Sequence, residues 1–342
     1  MNEPSGSDDF YHSCGTQIYQ SDNYCPECGA ALDDHGTQSA GRPPENQHPA
    51  PRDGTGSGSD WEKPSREPRR TGPGAPGSMR GKEPGWRPIA TGIGLAVLSI
   101  ILLLAFTLLS VPLVGLLQLS TGAALIVGAA FGQYFGFFGL AVGYLRRTRR
   151  FGWADIREYL GLRVPSLKEL GVVILGYFGI IVLAIVVSTI IALLGTEPAS
   201  NESANQLTQS AGTDPVLIAG VFALMFLVIG PCEEILYRGV IQNRIRERFD
   251  VVPGIVAASI IFASVHVVAL GSTDPVAVAT TISILSVTAL VLGAVYEYTG
   301  NLVVPWLLHS LHNSILISLA FFGPQQAGSV LFAPVRFVIG LL

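Results

Sequence analysis

Three short groups of polar residues interrupt otherwise apolar stretches, and their types are those that hydrolyse amide bonds. The first is Glu233-Glu234-Ile235-Leu236-Tyr237-Arg238, which follows the apolar run from Val216 to Gly230. Glu234 and Arg238 stand four residues apart on one helical face, where they can neutralise each other. Glu233 points about 100° away and needs a partner of its own. Tyr237, four residues further on, is placed to donate a hydrogen bond to it. A carboxylate in apolar surroundings has a basicity that its neighbours tune, as a general base requires. The second group is Phe262-Ala263-Ser264-Val265-His266, within an apolar helix. The third is His309-Ser310-Leu311-His312-Asn313, after Pro305-Trp306, with His309 and Asn313 on one face. Taken singly, these groups also fit a helix end, a packed histidine and an interhelical hydrogen bond. Together they are harder to explain that way. Each ionisable group inside a bilayer costs at least about 2.5 kcal/mol at the centre. Polar side chains from three helices are tolerated there when they share a watered cavity, which is what hydrolysis within a membrane needs.

The elements that must hold these groups are membrane helices. Of 342 residues, 49% are hydrophobic and 13% charged, with a mean hydropathy of +0.45; soluble domains carry roughly 25% charged residues. The net charge of −4 averages a polar first 85 residues with an apolar remainder and identifies no partner. Apolar stretches of roughly 17–28 residues, each able to cross a ~30 Å hydrocarbon core, lie near 88–112, 118–145, 168–194, 215–243, 252–270, 275–296, 301–321 and 325–342. Pro334 and Arg336 interrupt the last, which also reads as a re-entrant or interfacial piece. Arg146, Arg147, Arg149, Arg150, Arg157 and Arg163 follow the second span, and Arg244, Arg246 and Arg248 the fourth. Both sets are expected on the cytoplasmic side. The loop 195–214 then faces outward and carries an Asn201-Glu202-Ser203 sequon. Residues 151–167 read as an amphipathic interfacial segment. The expected fold is an all-α polytopic membrane protein of about eight transmembrane helices with a cavity active site.

Met1 to Asp9 is polar and acidic, so the N-terminus is expected in the cytoplasm of a multi-pass cell-membrane protein. Of four cysteines, Cys14, Cys25 and Cys28 cluster near the start and Cys232 lies in an apolar run. Cys25-Pro26-Glu27-Cys28-Gly29 is a knuckle-like turn, and residues 1–35 resemble a zinc-ribbon tag. Tyr11 stands where a first cysteine is expected, so the module is degenerate. His12, Cys14, Cys25 and Cys28 are its candidate zinc ligands, four being the norm for a structural site. Residues 36–85, rich in Gly, Pro and Ser, are expected to be a disordered linker, and residues 86–342 the transmembrane domain.

The order E-E-x-x-x-R, F-x-x-x-H, H-x-x-x-N resembles the CPBP family of CAAX proteases and bacteriocin-processing enzymes, also called Abi. The resemblance covers about 165–322. It implies an eight-helix fold with a cavity open to the cytoplasmic side and the bilayer. It implies that Glu233 activates water with help from His266. His309 and Asn313 would stabilise the oxyanion, and Glu234 and Arg238 would support the site. It also implies a membrane-anchored or prenylated protein or peptide as substrate, presented from the lipid bilayer; nucleic acid is not an expected partner. A zinc-dependent variant is the alternative, with a glutamate, His266 and His309 as core ligands and Glu233 or Glu234 as the base. H-E-x-x-H is absent, and a metal-free glutamate mechanism is the expectation. Two other readings compete: a non-catalytic scaffold, immunity or regulatory protein of the same fold, and a transporter with a Glu/His proton relay. No internal repeat supports the transporter.

Overall fold

The computed structural model describes residues 85–322 and, near the N-terminus, two short strands. Phe10–Tyr11 (β1) and Gln17–Ile18 (β2) pair antiparallel, with Phe10 opposite Ile18, in a unit separate from the helices. His12, Cys14, Cys25, Cys28, the linker up to residue 84 and the expected span 325–342 lie outside the described residues.

The helices are α1 (Arg87–Leu109), α2 (Val111–Leu116), α3 (Thr121–Phe131), α4 (Gly139–Thr148), α5 (Trp153–Leu160), α6 (Leu167–Leu193), α7 (Glu202–Ala211), α8 (Pro215–Leu224), α9 (Gly230–Glu234), α10 (Asn243–Arg246), α11 (Val251–Val265), α12 (Pro275–Thr299) and α13 (Val303–Phe322). Several combine into longer rods. Among the described residues, 7 helices are long and apolar enough to cross a membrane: Arg87–Leu116, Thr121–Thr148, Leu167–Leu193, Pro215–Arg246, Val251–Ala269, Pro275–Thr299 and Val303–Phe322. They fall within a few residues of the first seven expected spans, and the chain is a multi-pass membrane protein. Leu108, Leu175, Val182 and Leu193 are among many large apolar side chains left exposed, as a surface solvated by lipid tails requires.

Local chemistry sets the helix starts. Ser166 and Glu169 form a reciprocal capping box at α6. Asp214 and Asp274 cap α8 and α12, each followed by proline at the first helical position. There the missing N–H of proline costs nothing, because first-turn donors are unpaired anyway. Gly300 ends α12 in the left-handed conformation, φ 60°, which favours glycine. Asn201 of the sequon caps α7 through Oδ1, which accepts from the Ala204 amide at 3.0 Å.

The rod Pro215–Arg246 is the hub. It is not uniformly α-helical: Met225–Ile229 and Ile235–Gln242 are π-helical, as is Gly132–Phe138 in the second rod. Pro231 has no N–H, so the carbonyl four residues back loses its helical partner. The wider turn at 225–229 also pairs the Gly230 amide with Met225 rather than Phe226. Side chains from neighbouring helices take up the Leu227 and Phe226 carbonyls and give Met225 O a second donor. Tyr134 donates to Leu227 O at 3.2 Å, Trp306 Nε1 to Phe226 O at 2.8 Å and Ser310 to Met225 O at 3.0 Å. A membrane interior demands this, because no water is there to replace a lost backbone bond.

Two details add to the expected layout. Arg244 and Arg246, at the end of the fourth span, are buried and bonded to Glu247 and Glu297 respectively. The segment 151–167 contains the short α5, whose Ile156 and Leu160 are buried while Trp153 stays exposed beneath the Arg146 guanidinium, 5.0 Å from the ring centre.

Candidate active site

Glu233 and Glu234 close α9, between two π-helical stretches of the hub rod. At 1.5 Å per residue they sit about 20 Å along it from Arg246. Both are buried, Glu234 completely. Their surroundings separate them.

Glu234 faces two partners. One oxygen lies 3.4 Å from Arg238 Nε, and the other is 2.9 Å from His309 Nδ1. The carboxylate acceptor places a hydrogen on Nδ1 and turns Nε2 toward Glu233, whose Oε2 is 3.9 Å away. That distance is too long for a direct hydrogen bond. The Arg238 guanidinium stacks over the Phe262 ring, 4.4 Å from its centre, and Nη2 reaches the Ala289 carbonyl at 3.5 Å.

Glu233 takes its hydrogen bond from a residue that the sequence reading did not single out. Gln133 Nε2, in the π-helical stretch Gly132–Phe138, donates to Glu233 Oε1 at 2.9 Å. The expected donor, Tyr237, turns elsewhere: its hydroxyl lies 3.4 Å from Ser99 Oγ, and its ring packs on Phe137 and Phe262. Tyr237 belongs to the π-helical stretch Ile235–Gln242, whose i→i+5 bonding shifts side chains off the ideal i,i+4 register.

His266 sits at the end of α11, not within it, and opens a 3₁₀ turn. Its Nδ1 is 2.9 Å from the Phe262 carbonyl. Phe262 is a hub that the F-x-x-x-H spacing did not explain. Its ring touches His266 (4.8 Å between centroids), His309 (5.8 Å), Tyr237 (5.0 Å) and Arg238. Asn313 is half-buried, one turn beyond His309 on α13, and its side chain hydrogen-bonds to none of the described residues. His312 turns to the Tyr177 ring. Thus Glu233, Glu234, Arg238 and His309 are in contact, His266 joins them through Phe262, and Asn313 stands free on the same helix as His309.

Among the described residues no three His, Cys, Asp or Glu side chains gather closely enough to hold a metal ion. Of the glutamate, His266 and His309 that the zinc alternative needs, His266 reaches the others only through the Phe262 ring, and no step below runs through a zinc. An apolar groove of about 440 Å³ lies elsewhere, lined by Ala130, Phe131, Tyr134, Phe135, Phe138 and Gly139. It carries none of the site's ionisable groups.

Residues 215–315 match the family model for type II CAAX prenyl endopeptidase Rce1-like proteins. This segment is Rce1-like. It contains Glu233, Glu234, Arg238, Phe262, His266, His309 and Asn313. YpbD, an uncharacterized protein of Bacillus subtilis (strain 168), is 28% identical over 168 residues, which is 48% of this chain and 76% of YpbD. No solved structure matches the chain. The Rce1-like segment omits the first three spans, and with them Gln133.

Proposed function

We propose that the protein is an intramembrane endopeptidase whose substrate is a membrane-anchored, prenylated CAAX-type protein or peptide. The observation that carries this reading is the arrangement of Glu233, Glu234 and His309, two carboxylates on either side of one imidazole in the Rce1-like segment. Glu234, with Arg238 as its counter-ion, fixes the imidazole. Glu233 keeps Oε2 for the water.

In the reaction, water attacks the scissile carbonyl carbon while Glu233 Oε2 takes one of its protons. The carbonyl oxygen becomes an oxyanion. The Asn313 amide is the donor that receives it, beside the His309 ring that Glu234 holds in place. The C–N bond then breaks. The proton held by Glu233 passes to the leaving amine, which restores the carboxylate. His266 orients the substrate or the water from the opposite side of Phe262. This chemistry needs no metal. The N-terminus and the arginines following the second and fourth spans face the cytoplasm in this reading.

The test is cleavage of a prenylated, C-terminally extended peptide by protein reconstituted in liposomes. Glu233→Ala and His309→Ala should each abolish turnover while the protein still inserts and elutes as wild type. Full activity in Glu233→Ala would remove the carboxylate mechanism. Stoichiometric zinc in protein lacking Cys14, Cys25 and Cys28, lost on His266→Ala, would replace it with a metal mechanism.

A further inference from the structure

Gln133 lies outside the Rce1-like segment, 100 residues before Glu233, yet it makes the hydrogen bond to that carboxylate. The side chain is buried, 7% exposed. A buried amide in a membrane helix is expensive unless both of its ends are satisfied. Only one end is. Gln133 Oε1 has no hydrogen-bond partner among the described residues, and a stranded acceptor of this kind costs on the order of 1–3 kcal/mol. The neighbouring backbone also commits Gln133 to this place. Gly132 and Gly136 flank it on the face packed against α1, where a Cβ at Gly136 would come within 2.7 Å of the Leu103 amide nitrogen. The helix therefore cannot rotate Gln133 away without clashing.

We propose that Gln133 is a positioning residue for hydrolysis. Its Nε2–H holds Glu233 Oε1, which leaves Oε2 as the oxygen that takes the proton, and its Oε1 accepts the second hydrogen of the attacking water. The water is thus held by two acceptors, with a lone pair free for the carbonyl carbon. This role rests on the reading of Glu233 as the base. It adds a span before the Rce1-like segment to the catalytic apparatus.

The experiment compares Gln133→Met, which keeps the volume and removes both hydrogen-bonding ends, with Gln133→His, which keeps a ring N–H donor at similar reach. Both are assayed in liposomes on the prenylated peptide beside wild type and Glu233→Ala. The expected result is a kcat lowered on the order of 10- to 100-fold in Gln133→Met, a KM within about twofold of wild type, and partial recovery of kcat in Gln133→His. A residue that merely fills space would be replaced by methionine without loss, so wild-type kcat in Gln133→Met overturns the proposal. A raised KM at unchanged kcat overturns it too, since that is substrate contact. Thermal unfolding in detergent supplies a readout that needs no activity. Gln133→Met should lower the midpoint more in the wild-type background than in Glu233→Ala, and equal shifts mean that the two residues do not interact. If wild type shows no cleavage that depends on Glu233, the protease reading falls and the positioning role falls with it, whatever the thermal cycle reports.

Discussion

Glu234 serves two partners at once, and its neighbour serves one. Glu234 turns one oxygen to Arg238 at 3.4 Å and accepts from His309 with the other, so both of its oxygens face protein partners. Glu233 has one oxygen committed to Gln133 and one turned toward the imidazole. The division of labour between adjacent, chemically identical side chains thus follows from their contacts. It also predicts an asymmetry in stability. Arg238 is 1% exposed, and stranding a buried charge by removing its partner costs about 3–5 kcal/mol. Glu234→Gln keeps an acceptor for His309 but strands the guanidinium, so its thermal midpoint in detergent should fall well below wild type. Adding Arg238→Met removes the stranded charge, and the double variant should regain most of that loss. Equal midpoints for the single and double variants would mean that the pair is not what holds this part of the hub rod.

The elements carry the site through close approach and through helical irregularity. Gly128, Gly132 and Gly136 recur every four residues along the second rod, a spacing of small residues that lets membrane helices meet at the backbone. At Gly132 a Cβ would stand 2.5 Å from Thr107 Oγ1 and 2.9 Å from the Leu103 carbonyl. Gly136→Val should therefore push α1 away from Gly132–Phe138, displace Gln133, and lower both kcat and the thermal midpoint. Gly94→Ala in α1 is the control, because nothing lies within 4 Å of its added Cβ and alanine is the better helix former by about 1 kcal/mol. If Gly136→Val behaves like Gly94→Ala, the close crossing does not position Gln133. This scale also marks where the sequence stops being readable. Carboxylates and histidines stand out against apolar runs because their burial is costly, so Glu233, Glu234, His266 and His309 were visible as candidates. A glutamine in an apolar stretch gives a weaker signal, and the glycine spacing around Gln133 was the available clue. The π-helical turns leave no periodic mark at all. They carry Tyr237 toward Ser99 and, with Pro231, free the Phe226 and Leu227 carbonyls that Trp306 and Tyr134 satisfy.

At the scale of the molecule, seven apolar rods have little hydrophobic drive to choose one arrangement, since lipid tails are as apolar as the side chains facing them. Polar locks must supply part of the choice. One lies at the end of the hub rod opposite α8. Glu247 is fully buried and accepts from Arg149 at 2.5 and 2.6 Å, from Arg244 at 2.6 Å and from the Tyr159 hydroxyl at 3.5 Å. The lock continues into α5, where Asn243 donates to the Tyr159 carbonyl at 3.3 Å and Tyr296 to the Leu160 carbonyl at 3.2 Å. The charge rule accounts for the side of the membrane these arginines take, but it does not reveal the Arg149–Glu247 pair, whose members are 98 residues apart. Burial alone would lower the Arg149 pKa, but the hydrogen bonds and charge of Glu247 outweigh burial and raise it. Burial, and then the charge of Glu247, raises that of Tyr159, which stays a donor. A raised arginine pKa gives a contribution that is fully present below the already high free value and fades only as pH climbs through the still higher folded value. The arginine side of the lock therefore does not titrate near neutrality, and the thermal midpoint should show no loss on its account between about pH 6 and 9. Glu247→Gln, by contrast, removes the carboxylate that the two arginines share. It should cost about 3–5 kcal/mol, as breaking a buried pair does, and should release the segment 149–166 first. Hydrogen exchange in detergent should then rise across Arg149–Leu162 while the amides of α12 keep their protection. Uniform loss of protection across all seven rods would mean that Glu247 holds the whole bundle rather than the α5 segment.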